Sequence, residues 1–469
     1  MLEEYGYSEH DENRARNSAN EFEDMRSVNP HPLIDLIKVD EIFHYYLQTN
    51  DLQRARNLVE SAIVNYPATS DLYHKLARIE LELNRFDRAL EQIELALNLS
   101  PMLGEYLIFK SELLARMEQY DEAIALLEKL LPRSDMPHEV LLQLGNIAQI
   151  CNRPQDCERY YRQALEAEPS FEDALYELGF FLEAEDRQPE ALALYEQFLD
   201  RAPYTPGVWY NLAQLYRKQG NFELAQDALG YTLCIQDDLA PAWFLKGELC
   251  MEQNRPQEAL QAFLESLIHL PGDVHAMYRV AECYEMVENY RDAIRYYHKC
   301  VKADPDLIDA WIGLGYCLER REQFIEAIHY YKKAYRLDDE HAEVCLSLAI
   351  CEYKLGNLNR AYLYFERAYQ IDPHELSVWQ DWSEVLYEHD NLYGAVAYLE
   401  EGIKHNPKEA ELYYLAAAYC YEGGLREKAD MYLENALLLN YQAHALLFQT
   451  SPMLRLDPGV GSLIRQYKP

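Results

Sequence analysis

The sequence predicts an all-α solenoid of about twelve stacked helical hairpins, each 34 residues long. Three observations predict it. Prolines at 67, 101, 169, 203, 271, 305, 373 and 407 are separated by 34 or 68 residues throughout, with Asp135, Asp237 and Asp339 at the skipped points. Twelve residues before each point lies an alanine, from Ala55 to Ala429, with Cys157 the one exception. Ten residues after the points lie small residues: Ala77, Ser111, Gly145, Gly179, Ala213, Gly247, Ala281, Gly315, Ala349, Ser383 and Ala417. A fixed period of this length marks an architecture in which each unit buries its apolar face only against its neighbours.

The block Asp306 to Asp339 shows why one period makes a hairpin. Trp311, Leu314, Gly315 and Leu318 recur at i, i+3, i+4 and i+7, one face of a first helix. Gln323 and its neighbours form the polar turn, and Ala327, Tyr331 and Ala334 make the face of a second helix. Gly315 and Ala327 are small because two helices must approach there, while Trp311 and Tyr331 supply buried area. The proline at the grid point cannot continue the second helix and sets the turn into the next block.

Counted from Leu36, twelve blocks fill residues 36–443, leaving flanks 1–35 and 444–469. The first flank is acidic and ends in Asn29-Pro30-His31-Pro32, which predicts a mobile tail. The second flank opens with Ala445, Leu446, Leu447 and Phe448 and is predicted to cap the last hairpin. Ser451-Pro452 and Asp457-Pro458 signal short helices there, with Val460, Leu463 and Ile464 packed inward. Lys110, Lys246, Leu130 and Phe198 break the pattern and predict less regular packing, and block one, with Ile42, Phe43 and Tyr46, departs as terminal repeats do.

The blocks share a finer pattern. Trp209-x2-Leu212-Ala213-x2-Tyr216 with Ala225, and Leu175-x2-Leu178-Gly179-x2-Leu182 with Ala191 and Tyr195, follow W-x2-L-G-x2-Y then A-x3-F. Over most of its length the chain resembles the tetratricopeptide repeat (TPR) family. The resemblance implies a right-handed superhelix whose first helices line a concave groove that holds extended peptides or helices of protein partners. Inward places are then the second, fifth, ninth and twelfth of each block. They carry Tyr176, Tyr210, Phe244 and Tyr278, with Phe180 and Tyr316 nearby, interleaved with Glu248, Glu282, Glu285 and Glu319. These ten residues are the predicted partner-binding stripe, suited to a segment with Lys or Arg and apolar anchors: aromatic faces attract cations and acids speed encounter. The same aromatics could instead pack against the adjacent repeat, and both readings stand at this point. A subtype of the family grips a C-terminal carboxylate with inward lysines; His74, Ile108, Leu142, Tyr176 and Tyr210 stand in their place here, so that mode is not expected. Inward basic residues are Arg217, with Lys218 nearby, and Arg78.

Charge and motif content narrow the function. With 43 Lys and Arg against 80 Asp and Glu, the net charge is −37, a field that repels nucleic acid and anionic membranes. The charged N-terminus predicts no leader, no apolar run is long enough for membrane insertion, and ten scattered cysteines without a C-x-x-C pair predict a cytoplasmic location. Cys283, Cys317 and Cys351 lie 34 residues apart and read as small buried residues rather than a metal or redox ladder. No phosphate loop, dinucleotide fingerprint, H-E-x-x-H or G-x-S-x-G occurs, and neither flank has room for a catalytic domain. No catalytic, cofactor or metal site is therefore predicted. The expected function is a non-catalytic protein-interaction scaffold or adaptor; the alternative is a regulatory subunit, co-chaperone-like or enzyme-controlling, of a larger assembly.

Overall fold

A computed structural model describes residues 9–389 and 391–468. The chain divides into two compact units, Met1–Leu215 and Tyr216–Pro469. In the first, α1 (Glu9–Val28) precedes five hairpins: α2 (Leu36–Gln48) with α3 (Leu52–Asn65), α4 (Ser70–Glu82) with α5 (Phe86–Leu99), α6 (Gly104–Arg116) with α7 (Tyr120–Leu130), α8 (Pro137–Ile150) with α9 (Pro154–Ala167), and α10 (Glu172–Ala184) with α11 (Gln188–Leu199). The unit boundary falls inside α12 (Pro206–Lys218). The second unit continues with α13 (Phe222–Ile235) and six hairpins: α14 (Ala240–Glu252) with α15 (Pro256–His269), α16 (Val274–Met286) with α17 (Tyr290–Ala303), α18 (Ile308–Arg320) with α19 (Phe324–Leu337), α20 (Ala342–Lys354) with α21 (Leu358–Ile371), α22 (Leu376–Glu388) with α23 (Leu392–His405), and α24 (Ala410–Glu422) with α25 (Arg426–Leu439). The short α26 (Ala445–Thr450) and α27 (Pro458–Gln466) close it. Among the described residues there is no strand, so the all-α solenoid expected from the period is what forms.

The hairpin turn repeats with the sequence. A residue with positive φ follows the first helix at 34-residue intervals: Asn50, Asn84, Glu118, Asn152 and Asp186 in the first unit, then Gly220, Asn254, Glu288, Glu322, Gly356 and Gly424 in the second. That left-handed residue lets the next amide close back on the helix end, as Arg85 N donates to the Glu80 carbonyl at 2.8 Å and Gln323 N to that of Leu318 at 2.9 Å. The chain then reverses within a few residues, which forces the two helices antiparallel.

Inside each hairpin a ring of the second helix lies on a small residue of the first. A Cβ added at Gly145 would meet Tyr161 at 2.3 Å, and one at Gly247 would meet Phe263 at 2.5 Å. Gly315 stands in the same relation to Tyr331, at 2.5 Å. Tyr161, Phe263 and Tyr331 are fully buried, so the absent side chain is the space they occupy. Tyr297 is wedged the other way, against Gly313 of the following hairpin, where a Cβ would come within 2.3 Å. One ring thus seals the hairpin and the next seals the stack.

Three flanking features refine the sequence reading. Residues expected to form a mobile tail instead include the 20-residue helix α1. Its Ala15, Ala19 and Phe22 are buried, and the last two join Val39, Ile42, Phe43 and Tyr46 of α2 in one apolar cluster. These three side chains fall at i, i+4 and i+7, a narrow stripe that the acidic composition hid. Irregularity at block three takes the form of a shortened α7 that runs into a 3-10 turn over Leu131–Arg133. At the C-terminal end, Leu447, Val460 and Ile464 pack with Leu433 and Leu437 of α25. Asp457 caps α27 by accepting from Gly459 N and Val460 N, and also takes both guanidinium nitrogens of Arg426 at 2.9 Å.

The niche makes a test. Gly315→Ala is expected to lower unfolding free energy by about 1–3 kcal/mol, because buried Tyr331 has no alternative place. Gly230→Ala, mid-helix in α13 with nothing within 4 Å of the new Cβ, is expected to raise it by about 0.5–1 kcal/mol. Urea denaturation of both variants decides; equal effects would show that the niche is not packed as described.

Candidate partner-binding site

The stripe predicted from sequence is distributed over both units. In the first unit, Tyr176 on α10 is half-buried, its hydroxyl donates to Glu172 at 2.7 Å, and its ring end fills the space beside Gly207. Phe180, one turn on, is 54% exposed, while Tyr210 on α12 is half-buried. The remaining seven residues lie on α14, α16 and α18 of the second unit.

In the second unit the fifth-place rings are only partly available. Phe244 meets buried Phe263 edge-on at 5.2 Å, and Tyr278 lies 5.8 Å from buried Tyr297. Each covers the ring that holds its own hairpin together, so the packing role left open by the sequence is present. Tyr316, at the ninth place of its block, stands 39% exposed on α18 and is the freest of these rings in the second unit.

The acids divide into three groups with different fates. Glu248 is neutralised: its carboxylate takes Arg217 at 3.1 Å and Arg279 at 2.8 Å. Arg217 also reaches Glu252 at 2.6 Å and Arg279 reaches Glu282 at 2.8 Å, so the Arg and Glu side chains alternate across α12, α14 and α16. Arg279 was not singled out from sequence because it occupies the sixth place, outside the inward set. Glu285 and Glu319 are structural acceptors. The Tyr297 hydroxyl donates to Glu285 and the Tyr331 hydroxyl to Glu319, each at 2.8 Å. Burial raises both carboxyls above the usual range. The same Glu285 oxygen receives the Cys317 thiol of the next hairpin at 3.8 Å, and Cys351 relates to Glu319 in the same way. This explains the cysteine spacing: each thiol is a small buried donor to the preceding repeat. Burial pushes the Cys283 thiol up to about 12 and those of Cys317 and Cys351 up as well, the opposite of a reactive thiolate.

The third group is unneutralised. Asp381 on α22 has its carboxyl raised to about 6, by burial first and then by the charges of Glu384 and Glu319. None of the three forms an ion pair within the described residues. Asp381 also escaped the sequence reading, again from a sixth place, whereas the ninth-place Glu384 had been counted among the interleaved acids. Tyr316 and this carboxylate group put an exposed ring and surplus negative charge on the first helices of the second unit.

The first unit holds a second recess that sequence reasoning did not assemble. A cavity of about 360 Å³ is lined by first-helix residues including His74, Arg78, Ile108, Glu112 and Leu142. Burial, then the positive charge of Arg78, lowers His74 to about 4, and burial raises Glu112. His74 is therefore neutral at physiological pH and sits against Tyr106 and Phe109 as an aromatic wall. Among the described residues no three His, Cys, Asp or Glu side chains converge as a metal ion would need, and no helix is long and apolar enough to cross a membrane.

Family models described as tetratricopeptide repeat match residues 41–103, 138–171, 172–215, 210–274, 275–306, 308–341 and 342–375. Together they span more than half of the chain. The chain belongs to the tetratricopeptide repeat family. Among curated proteins this TPR chain is 31% identical over 123 residues to the TPR repeat-containing protein YpiA of Bacillus subtilis, covering 26% of this chain and 29% of that one. It is 25% identical over 137 residues to the general transcriptional corepressor ssn6 of Schizosaccharomyces pombe, covering 29% of this chain and 12% of that one. The chain thus spans less than a third of either relative's length. Among solved structures, a chain of the APC/C hetero-tetramer Cut9–Hcn1 aligns over 91% of this chain and 95% of its own, at 15% identity and a TM-score of 0.37.

The Asp381 environment predicts a pH dependence. The folded carboxyl holds its proton up to about pH 6, whereas its ordinary value is 3.8, so the folded state binds the proton more tightly than the unfolded chain. Stability contributed here is present below about pH 4 and is lost as pH rises towards 6. Asp381→Asn is expected to raise stability at pH 7.5 by about 1 kcal/mol and to have little effect at pH 4. Thermal melts of both proteins across that range check it; an equal difference at both pH values would place the cause elsewhere.

Proposed function

We propose that this TPR protein is a non-catalytic scaffold whose first-helix face in the second unit holds a protein segment carrying Lys or Arg beside an apolar side chain. The observation that carries the reading is the pairing of exposed Tyr316 with the unneutralised carboxylates of Glu319, Asp381 and Glu384. A partner ammonium or guanidinium placed there would relieve carboxylate repulsion and gain charge-assisted hydrogen bonds, while its apolar neighbour covers the tyrosine ring. Phe244 and Tyr278 contribute the edges of their rings, and the Arg217–Glu248–Arg279–Glu282 alternation fixes the slope of the surface rather than attracting charge. In the first unit Phe180, Tyr176 and Tyr210 serve the same kind of contact with rings alone. The acidic balance of 80 carboxylates to 43 basic side chains supports a protein ligand over nucleic acid, and ten free cysteines fit a cytoplasmic setting.

The test is affinity capture with the full chain and with Tyr316→Ala/Glu384→Gln, two exposed changes that leave the hairpin cores intact. A partner that carries a basic-apolar segment is expected to bind the parent protein and to lose about tenfold or more in Kd with the variant. Unchanged binding by a variant with an unaltered melting curve would refute this site.

A further inference from the structure

The second helices of the same unit carry a charge pattern opposite to that of the whole chain. On α17 and α19 there are seven Lys or Arg and only two acids, Asp292 and Glu326. Asp292 is engaged by Arg295 at 3.7 Å and by the Asn289 amide at 3.0 Å. Lys299 and Lys302 are exposed, Lys333 is half-buried, and none of the three has an ion pair among the described residues. Two of them are held in place by rings instead. The Lys299 ammonium sits 4.1 Å from the Tyr296 ring and that of Lys333 4.3 Å from Trp311. The rings tie α17 to α19: His298 meets Tyr330 edge-on at 5.5 Å and Trp311 stacks on Tyr330 at 6.0 Å.

Beside these cations lies an apolar trough. A cavity of about 660 Å³ between α15 and α17 is lined by Leu264, Leu267, Ile268 and Tyr296, with Lys299 and Lys302 at one side. Ile268 is 66% exposed there. In a chain with a net charge of −37, a patch where cations outnumber acids by this margin and flank an open apolar trough is a distinct surface.

We propose that this second-helix face is a docking surface for an acidic protein segment carrying one bulky apolar side chain. The apolar side chain enters the trough beside Ile268, and carboxylates on either side of it meet Lys299, Lys302 and Lys333. Cation–π contacts hold two of the ammonium groups before the partner arrives, which lowers the ordering cost of the encounter. The surrounding negative field of the chain confines an acidic partner to this patch, so the patch sets orientation as well as affinity. The surface is separate from the first-helix site proposed above, and the two would accept partners of opposite charge.

Fluorescence anisotropy with the full chain tests this. The probe is a short fluorescein-labelled peptide of Asp and Glu around a central Trp-Leu pair; a matched peptide with Lys in place of the acids and a short single-stranded DNA are the comparisons. The acidic peptide is expected to bind, to weaken about tenfold in Lys299→Glu/Lys302→Glu/Lys333→Glu, and to weaken severalfold in Ile268→Asp. The neutral variant Lys299→Gln/Lys302→Gln is expected to fall between, and binding of the Lys peptide is expected to be indifferent to all three. No binding of the acidic peptide, equal affinity for parent and variants of unchanged melting temperature, or tighter binding of the DNA lost through the same substitutions would each overturn the proposal.

Discussion

The structure rests on a close approach between two helices at a residue with almost no side chain. Where Gly145, Gly247 and Gly315 stand, the first helix leaves room for a whole aromatic ring from the second, and Tyr161, Phe263 and Tyr331 fill it to full burial. A ring of that size buries enough apolar area to contribute about 2–3 kcal/mol, more than any surface contact in the hairpin. Because the niche and the ring recur at a fixed spacing, each hairpin presents the same shape to the next. Stability therefore accumulates from nearest neighbours within each unit.

That packing also decides which polar groups are available. A tyrosine ring buried in the niche must find a partner for its hydroxyl, and the acceptor sits at the twelfth place of the first helix: Gln149 for Tyr161, Glu285 for Tyr297 and Glu319 for Tyr331. The thiols of Cys317 and Cys351 converge on the same glutamates from the following hairpin. Carboxylates that look like free surface charge in the sequence are in this way drawn into the core's hydrogen-bond accounting. The charge that remains uncompensated lies at Asp381 and Glu384 on the first helices, and at Lys299, Lys302 and Lys333 on the second. Two faces of one unit thus differ in sign although the chain as a whole is strongly acidic.

The period alone made the helices legible, since alanine at twelve and a small residue at eight have no other reason to recur over the length of the chain. It made the fifth-place aromatics legible as inward residues, but it could not say that Phe244 and Tyr278 lean on Phe263 and Tyr297, because leaning is a matter of rotamer and neighbour. Arg279 and Asp381 were invisible for a related reason. Both occupy the sixth place, and whether a sixth-place side chain reaches the first-helix face depends on how the next hairpin is set against its own. Helix α1 was hidden by composition: three apolar side chains among many acids bury a stripe only because the open face of the first hairpin is there to receive it.

Backbone pattern, hairpin count and family follow from the order of residues, because small-residue spacing and turn chemistry act within a single block and need no knowledge of what lies beside it. Which acids are spent on buried hydroxyls and thiols, which cations stand free over aromatic rings, and where a recess opens were settled by contacts between blocks. Those contacts join residues about 30 positions apart, such as Cys317 with Glu285, and only the assembled stack brings them within reach of one another.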